Sequence, residues 1–215
     1  MSVLDRDVKA FLRKYISFEI AKPVNPQVLT IKGMVDVIDD VGHFWERFEV
    51  AIVIEASKYH YVVPKVYALG TNVYKTPNWH IAPNGECCLD IPHKLILESK
   101  RGINLIGFYQ GKVYPFFANY CYKKETGNYA NGEYDHLEAG IVQFYTEELG
   151  LVDKKEVLSL INFALTNNAK VGRNELCPVC GGNKYKKCCG SVIGRLKSFG
   201  QEQLDQDRFI FEKHA

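Results

Sequence analysis

Four of the seven cysteines in this chain, Cys177, Cys180, Cys188 and Cys189, fall within thirteen residues near the carboxyl end. Cys177 and Cys180 present two sulfurs from one tight turn, Gly181-Gly182 lets the backbone curl back, and Cys188-Cys189 closes the set. Four soft thiolates in so short a loop suit a tetrahedral zinc ion. All four ligands are protein sulfurs, so no position is left for a reactive water and the site reads as structural. A segment of about twenty residues buries too little apolar surface to fold alone, so the metal would supply its folding free energy. Lys184, Lys186 and Lys187 stand where they could offset the net negative charge of a four-thiolate site. That is also the ordinary reading of this basic run, so it does not point to nucleic acid.

A second pair, Cys87 and Cys88, follows the turn Asn84-Gly85-Glu86 and precedes Leu89-Asp90-Ile91-Pro92. In an extended segment neighbouring side chains alternate, so Cys87 is expected in the core and Cys88 outside it. A cysteine on a turn at the edge of a core can be both exposed and rigidly held. Its reactive form is the thiolate, with an ordinary pKa of about 8.5. On residue type alone Cys88 is one of several candidate nucleophiles. Cys121, among Phe116, Phe117, Tyr120 and Tyr122, reads as a buried thiol. Trp45, Phe48 and Tyr67 read as core residues, and His43, His60 and His93 show no partner in sequence.

These residues need elements to position them. Val8, Phe11, Leu12, Tyr15 and Ile16 recur at helical spacing, which predicts a helix over 5–18. Segments 28–38, 46–54 and 61–69, rich in Val, Ile and Tyr, predict three strands. Residues 71–92 are irregular yet apolar, a combination that points to a functional loop. Helices are predicted over 136–149 and 154–165, the second capped by Asp153, and Thr166–Lys170 reads as a linker. The fold class is therefore α+β: an N-terminal helix, an antiparallel meander, C-terminal helices and a small zinc-knuckle module. The expected domains are 1–165 for the larger unit and 171–190 for the zinc module. Residues 191–215 form a tail that could dock back on the larger unit or bind a partner.

Of the residues, 47% are hydrophobic, enough for one sizeable core, and a net charge of +2 selects no partner class. The amino terminus lacks the apolar run of a secretory signal, and no window approaches a membrane-spanning length. Seven cysteines without an export signal suggest the reducing cytoplasm, where thiols serve metals or catalysis.

Two resemblances sharpen this reading. Gly172-Arg173-Asn174, Cys177-Pro178, Lys184-Tyr185-Lys186-Lys187 and Cys188-Cys189-Gly190 resemble the SEC-C motif, named for the tail of the bacterial preprotein-translocase ATPase. The usual motif runs C-x-C, eight residues, then the final pair. Here it is C-x-x-C and seven, so the span is kept while Cys180 is shifted by one position. Such motifs imply binding of partner proteins. Further upstream, Pro64-Lys65-Val66 followed by Gly85-Glu86-Cys87-Cys88-Leu89-Asp90-Ile91 resembles the active-site region of ubiquitin-conjugating enzymes, closest to their divergent bacterial members. The order of helix, strands and active-site loop also matches that family's fold, and the likeness extends over roughly residues 5–150.

The resemblance implies that Cys88 accepts the carboxyl terminus of a ubiquitin-like or other activated protein as a thioester and passes it to an amine. It implies an activating enzyme and a protein target as partners, and a role in bacterial antiviral defence. Eukaryotic members carry an asparagine eight residues before the cysteine; here His80 stands at that place. Its imidazole could donate to the developing oxyanion, deprotonate the attacking amine, or only brace the loop. The stretch Gly132–His136, followed by Gly140-Ile141, is similar to one in bacterial relatives that also carry a histidine. There His136 would begin a helix and serve as base or donor, or as an ordinary helix-start residue. Two other classes stay open: an inactive adaptor of the same fold that uses its zinc module for partner binding, and a cysteine hydrolase pairing Cys88 with His80 or His136. In the hydrolase, Asn78 or Asp135 could orient the base.

Overall fold

The computed structural model describes residues 1–23, 25–130, 134–135, 137–166 and 171–213. Two compact units divide the chain, one spanning Met1–Glu133 and the other Tyr134–Ala215. The division falls well before residue 165, where the larger domain was expected to end. Both helices predicted over 136–165 thus belong with the cysteine-rich segment.

In the first unit, helix α1 spans Val3–Lys14 and starts from a reciprocal cap in which Ser2 and Asp5 each accept the other's backbone N–H. Val8 and Phe11 face the core. The helix stops four residues short of the predicted end because Phe18 opens an unpredicted strand, β1 (Phe18–Ile20). Phe18 pairs with Gly33, and a side chain at Gly33 would collide with the Phe18 ring. This glycine is what lets β1 join the sheet.

Strands β2 (Val28–Ile38), β3 (Phe44–Glu55) and β4 (Lys65–Ala68) complete an antiparallel meander in the order β1-β2-β3-β4. β4 covers only the latter half of the predicted 61–69 strand. The preceding segment turns back on itself, with Tyr61 N–H donating to Lys58 O at 3.0 Å. The Tyr59 hydroxyl meanwhile donates to the buried carboxylate of Asp7 at 2.9 Å. Trp45, expected in the core, is exposed instead. Pairing shifts by a residue at Val37/Ile38, and the indole N–H donates to Asp39 at 3.1 Å beside the hairpin turn. Phe48 is buried as expected, while Tyr67 is only half-buried.

Helix α2 (Pro92–Ser99) leads to a continuous helical rod made of α3 (Leu105–Phe108), a π-turn (Tyr109–Val113) and α4 (Tyr114–Thr126). Gly107, Gly111 and Pro115 blur its period in the sequence. The wide π-turn lies just ahead of Pro115, whose ring would clash with a regular preceding turn. Phe117, Tyr120 and Cys121 of α4 pack with Phe48, Val50 and Ile52 of the sheet to form the core.

The second unit holds α5 (Glu138–Leu149), α6 (Lys154–Thr166), α7 (Gly190–Phe199) and α8 (Gln201–Lys213). Asp153 caps α6 as predicted, accepting Glu156 N–H at 2.8 Å. Of the predicted linker, residues 167–170 lie outside the described residues. The tail after residue 190 forms two helices that pack on α6, burying Ile193, Leu196, Phe199 and Phe211. Among the described residues no helix is long and apolar enough to cross a membrane.

One polar contact lies inside this bundle. The buried carboxylate of Asp207 accepts the Tyr145 hydroxyl at 2.7 Å and the Gln203 amide at 2.9 Å. Burial, and then the Asp207 charge, push the Tyr145 phenol well above its usual range. Tyr145→Phe should therefore cost about 1–3 kcal/mol of stability, because it strips a donor from a buried carboxylate. Urea unfolding measures this, and a loss under about 0.5 kcal/mol would show that the remaining partners satisfy Asp207.

Candidate active-site loop and metal centre

Residues 80–88 form a tight hairpin that is tied into the sheet on its other side. Within it, Gly85 N–H donates to Ala82 O and Ala82 N–H to Glu86 O, both at 2.8 Å, while the Asn84 side chain accepts Glu86 N–H at 3.0 Å. Ile81 bridges Cys87, and Cys88 N–H donates to His80 O at 2.8 Å. Toward β4, Cys87 N–H donates to Val66 O and Ala68 N–H to Gly85 O, again at 2.8 Å. Gly85 makes this fit possible: its φ is +91°, and a Cβ there would lie 2.6 Å from the Ala68 carbonyl oxygen.

The two cysteines separate as expected. Cys87 is buried, and burial pushes its thiol up to about 12. Cys88 is exposed. The loop around Cys88 still removes enough water, and Glu86 adds enough negative charge, to raise its pKa above the ordinary thiol value. In sequence Glu86 read only as part of the turn and motif, with no electrostatic role, although its place two residues before Cys88 puts both on one face of an extended segment. Its carboxylate lies 3.1 Å from Lys65 Nζ and accepts the Tyr67 hydroxyl at 3.4 Å.

His80 ends a short 3-10 turn, Pro77–Trp79, with its backbone in the left-handed region at φ 52°. Its N–H donates to Pro77 O at 2.8 Å, and its half-buried ring lies 5.2 Å from that of Tyr129. Trp79 is stacked between Tyr74 and Tyr120, at 5.0 and 4.7 Å. Cys88 and His80 thus lie opposite one another across the hairpin, joined through their backbones. His136 lies outside the described residues, as do Gly132 and Glu133. Of the other histidines, His93 is fully buried.

The second unit gathers the four carboxyl-terminal cysteines. Leu176 bridges Lys184, Tyr185 N–H donates to Glu175 O at 2.8 Å, and Lys186 N–H to Arg173 O at 3.1 Å. At the tip, Gly181 N–H donates to Cys177 O at 2.8 Å, with Gly181 at φ +64°. The four sulfurs all lie within 4.8 Å of one another. Three separations, Cys180–Cys188, Cys188–Cys189 and Cys180–Cys189, are 3.1, 3.7 and 3.9 Å. Metal–sulfur bonds of about 2.3 Å in a tetrahedron place sulfurs about 3.8 Å apart, whereas a disulfide needs about 2.05 Å. The donor set and its spacing therefore fit a metal ion held by Cys177, Cys180, Cys188 and Cys189. Cys180 converges with the other three sulfurs. Burial opposes ionisation of Cys177, but the amides of Cys180, Val179 and Cys189 outweigh it and hold that thiol at about 6.

No protein-family model, curated protein or solved structure matches this chain.

Proposed function

We propose that this chain is a ubiquitin-conjugating-type thioester transferase in which Cys88 carries the acyl group. The reading rests on one observation above the others: an exposed thiol on a loop pinned from both sides by backbone hydrogen bonds at the edge of a meander sheet. The incoming substrate is the carboxyl terminus of a ubiquitin-like or other activated protein, already joined to a donor thiol. The Cys88 sulfur attacks that carbonyl as thiolate, and the donor thiol departs. An amine of the target protein then attacks the Cys88 thioester, forms the amide and expels Cys88 as thiolate, which recovers a proton. In both steps an oxyanion develops on the carbonyl carbon's oxygen, and the His80 imidazole is the donor we assign to it. The metal of the second unit is assigned as structural zinc, which when bound would close the Cys177–Cys189 knuckle as a docking site for the target or the activating enzyme. A cytoplasmic setting suits both thiol centres.

Incubation with an activating enzyme and candidate modifiers should yield a reductant-sensitive adduct by mass spectrometry. The adduct should vanish in Cys88→Ala and persist in Cys87→Ala; a normal adduct on Cys88→Ala would sink the assignment.

Since the Cys88 pKa is raised, its thiolate is a minor form at neutral pH and gains about tenfold per pH unit. Iodoacetamide labelling of Cys88 should accordingly keep rising past the point where an ordinary thiol levels off, near pH 8.5. Glu86→Gln should speed labelling at pH 8 by removing a neighbouring negative charge. A plateau below pH 8 would contradict this electrostatic account.

Metal analysis of the purified full chain should return about one zinc per chain, falling to near zero in the double variant Cys177→Ser, Cys189→Ser. A metal-free wild type that retains its folded second unit would refute the zinc assignment.

A further inference from the structure

The hairpin that carries Cys88 is gripped at both ends by one helical rod. Before the cysteine, the Lys123 ammonium of α4 donates to the Asn78 carbonyl at 2.6 Å. The same ammonium sits 4.1 Å from the centre of the Tyr129 ring and 5.4 Å from that of Trp79. Asn78 belongs to the turn that delivers His80, and the His80 carbonyl is what accepts the Cys88 amide. After the cysteine, the Lys112 ammonium reaches Asp90 at 2.7 Å and Glu98 at 3.2 Å. Asp90 uses its other oxygen to accept Ile91 N–H at 2.8 Å, where α2 begins.

Neither lysine behaves like an idle surface charge. The Lys112 side chain is only 19% exposed, and burial works against its charge; Asp90 and Glu98 more than offset that, leaving its pKa above the usual lysine value. It lies within the π-turn, a distortion that re-aims side chains and recurs at functional positions. Lys112 and Lys123 stand about three turns apart on a rod whose inner side, through Val113, Phe117 and Tyr120, is fixed in the core. Their neighbour Lys124 instead pairs with Glu46 of β3 at 3.0 Å, away from the Cys88 hairpin.

We propose that Lys112 and Lys123 are positioning residues for Cys88, clasping the two flanks of its hairpin to the helical rod so that the His80–Cys88 pairing stays closed while the thiol reacts. This rests on the reading of Cys88 as the reacting thiol, but the clasp itself can be measured without any modifier or activating enzyme. Both contacts are charge-assisted hydrogen bonds, the stronger kind, so losing one should open the pairing measurably.

The test is hydrogen exchange of the full chain in Lys112→Met and Lys123→Met, with Lys123→Arg and Lys124→Met as companions. Methionine keeps much of the apolar stem and removes the charge. The Cys88 amide should exchange about tenfold faster in each of the first two variants while amides in the middle of β3 keep their wild-type rates. Lys123→Arg should restore the Cys88 rate to within about twofold, and Lys124→Met should leave it unchanged. An unchanged Cys88 amide in both methionine variants would overturn the clasp. So would equal acceleration at Cys88 and in β3, or a chain that fails to fold, since either would mean the lysines serve global stability. Failure to form a thioester would count against the transferase reading alone.

Discussion

The backbone pairing of residues 85–87 with the outer edge of β4 is the constraint on which the Cys88-bearing end of the first unit depends. β4 is four residues long, and without this partner its outer N–H and C=O groups would face solvent as an open sheet edge. The hairpin covers that edge and, in the same act, fixes the path of the chain through Cys88. Alternation along this short extended segment does the rest. Once the Cys87 N–H is committed to Val66, its side chain must enter the core and that of Cys88 must leave it. The approach is so close that only a residue without a Cβ fits at position 85.

Much of this was legible in the residues. The apolar period of α1, the three Val- and Ile-rich segments and the Asn84-Gly85 turn follow from local chemistry, and they led to a meander with Cys88 outside it. The misses share a physical cause, which is that tertiary contacts override local pattern. β1 exists because Gly33 makes room for Phe18 across the sheet, a pairing no window of sequence contains. Trp45 leaves the core because pairing slips at Val37/Ile38 and Asp39 offers its indole a partner. The rod from Leu105 to Thr126 hid behind two glycines and a proline that a π-turn accommodates. The boundary at 133/134 was equally hidden, since helices 138–149 and 154–166 look the same in sequence whichever unit they serve.

The four-cysteine cluster was the most legible feature, and the reason is that its information is almost wholly local. Four ligands within thirteen residues must converge if the loop folds at all, and their sulfurs do. At the tip of the loop Gly181 adopts the left-handed conformation beside Cys180. By contrast, the Asp90–Lys112 pair, twenty-two residues apart, leaves no local trace. Convergent thiols repel once ionised, so a cation held between them would favour closure of this loop.

The electrostatics of Cys88 bear on which chemistry it suits. A cysteine hydrolase relies on a thiolate stabilised at rest by a neighbouring imidazolium. Here desolvation and the Glu86 carboxylate push the other way, so the resting group is the neutral thiol. Such a thiol reacts slowly with water-borne electrophiles, and on the proposed reading a partner would have to bring a pre-activated acyl group close. Once acylated, the sulfur carries no charge, and the penalty that Glu86 imposes on the thiolate disappears. On the transferase reading proposed above, Glu86 would thus favour the thioester over the free thiolate. The same environment that slows the empty thiol would favour the loaded one, which is the behaviour a carrier needs and a hydrolase does not.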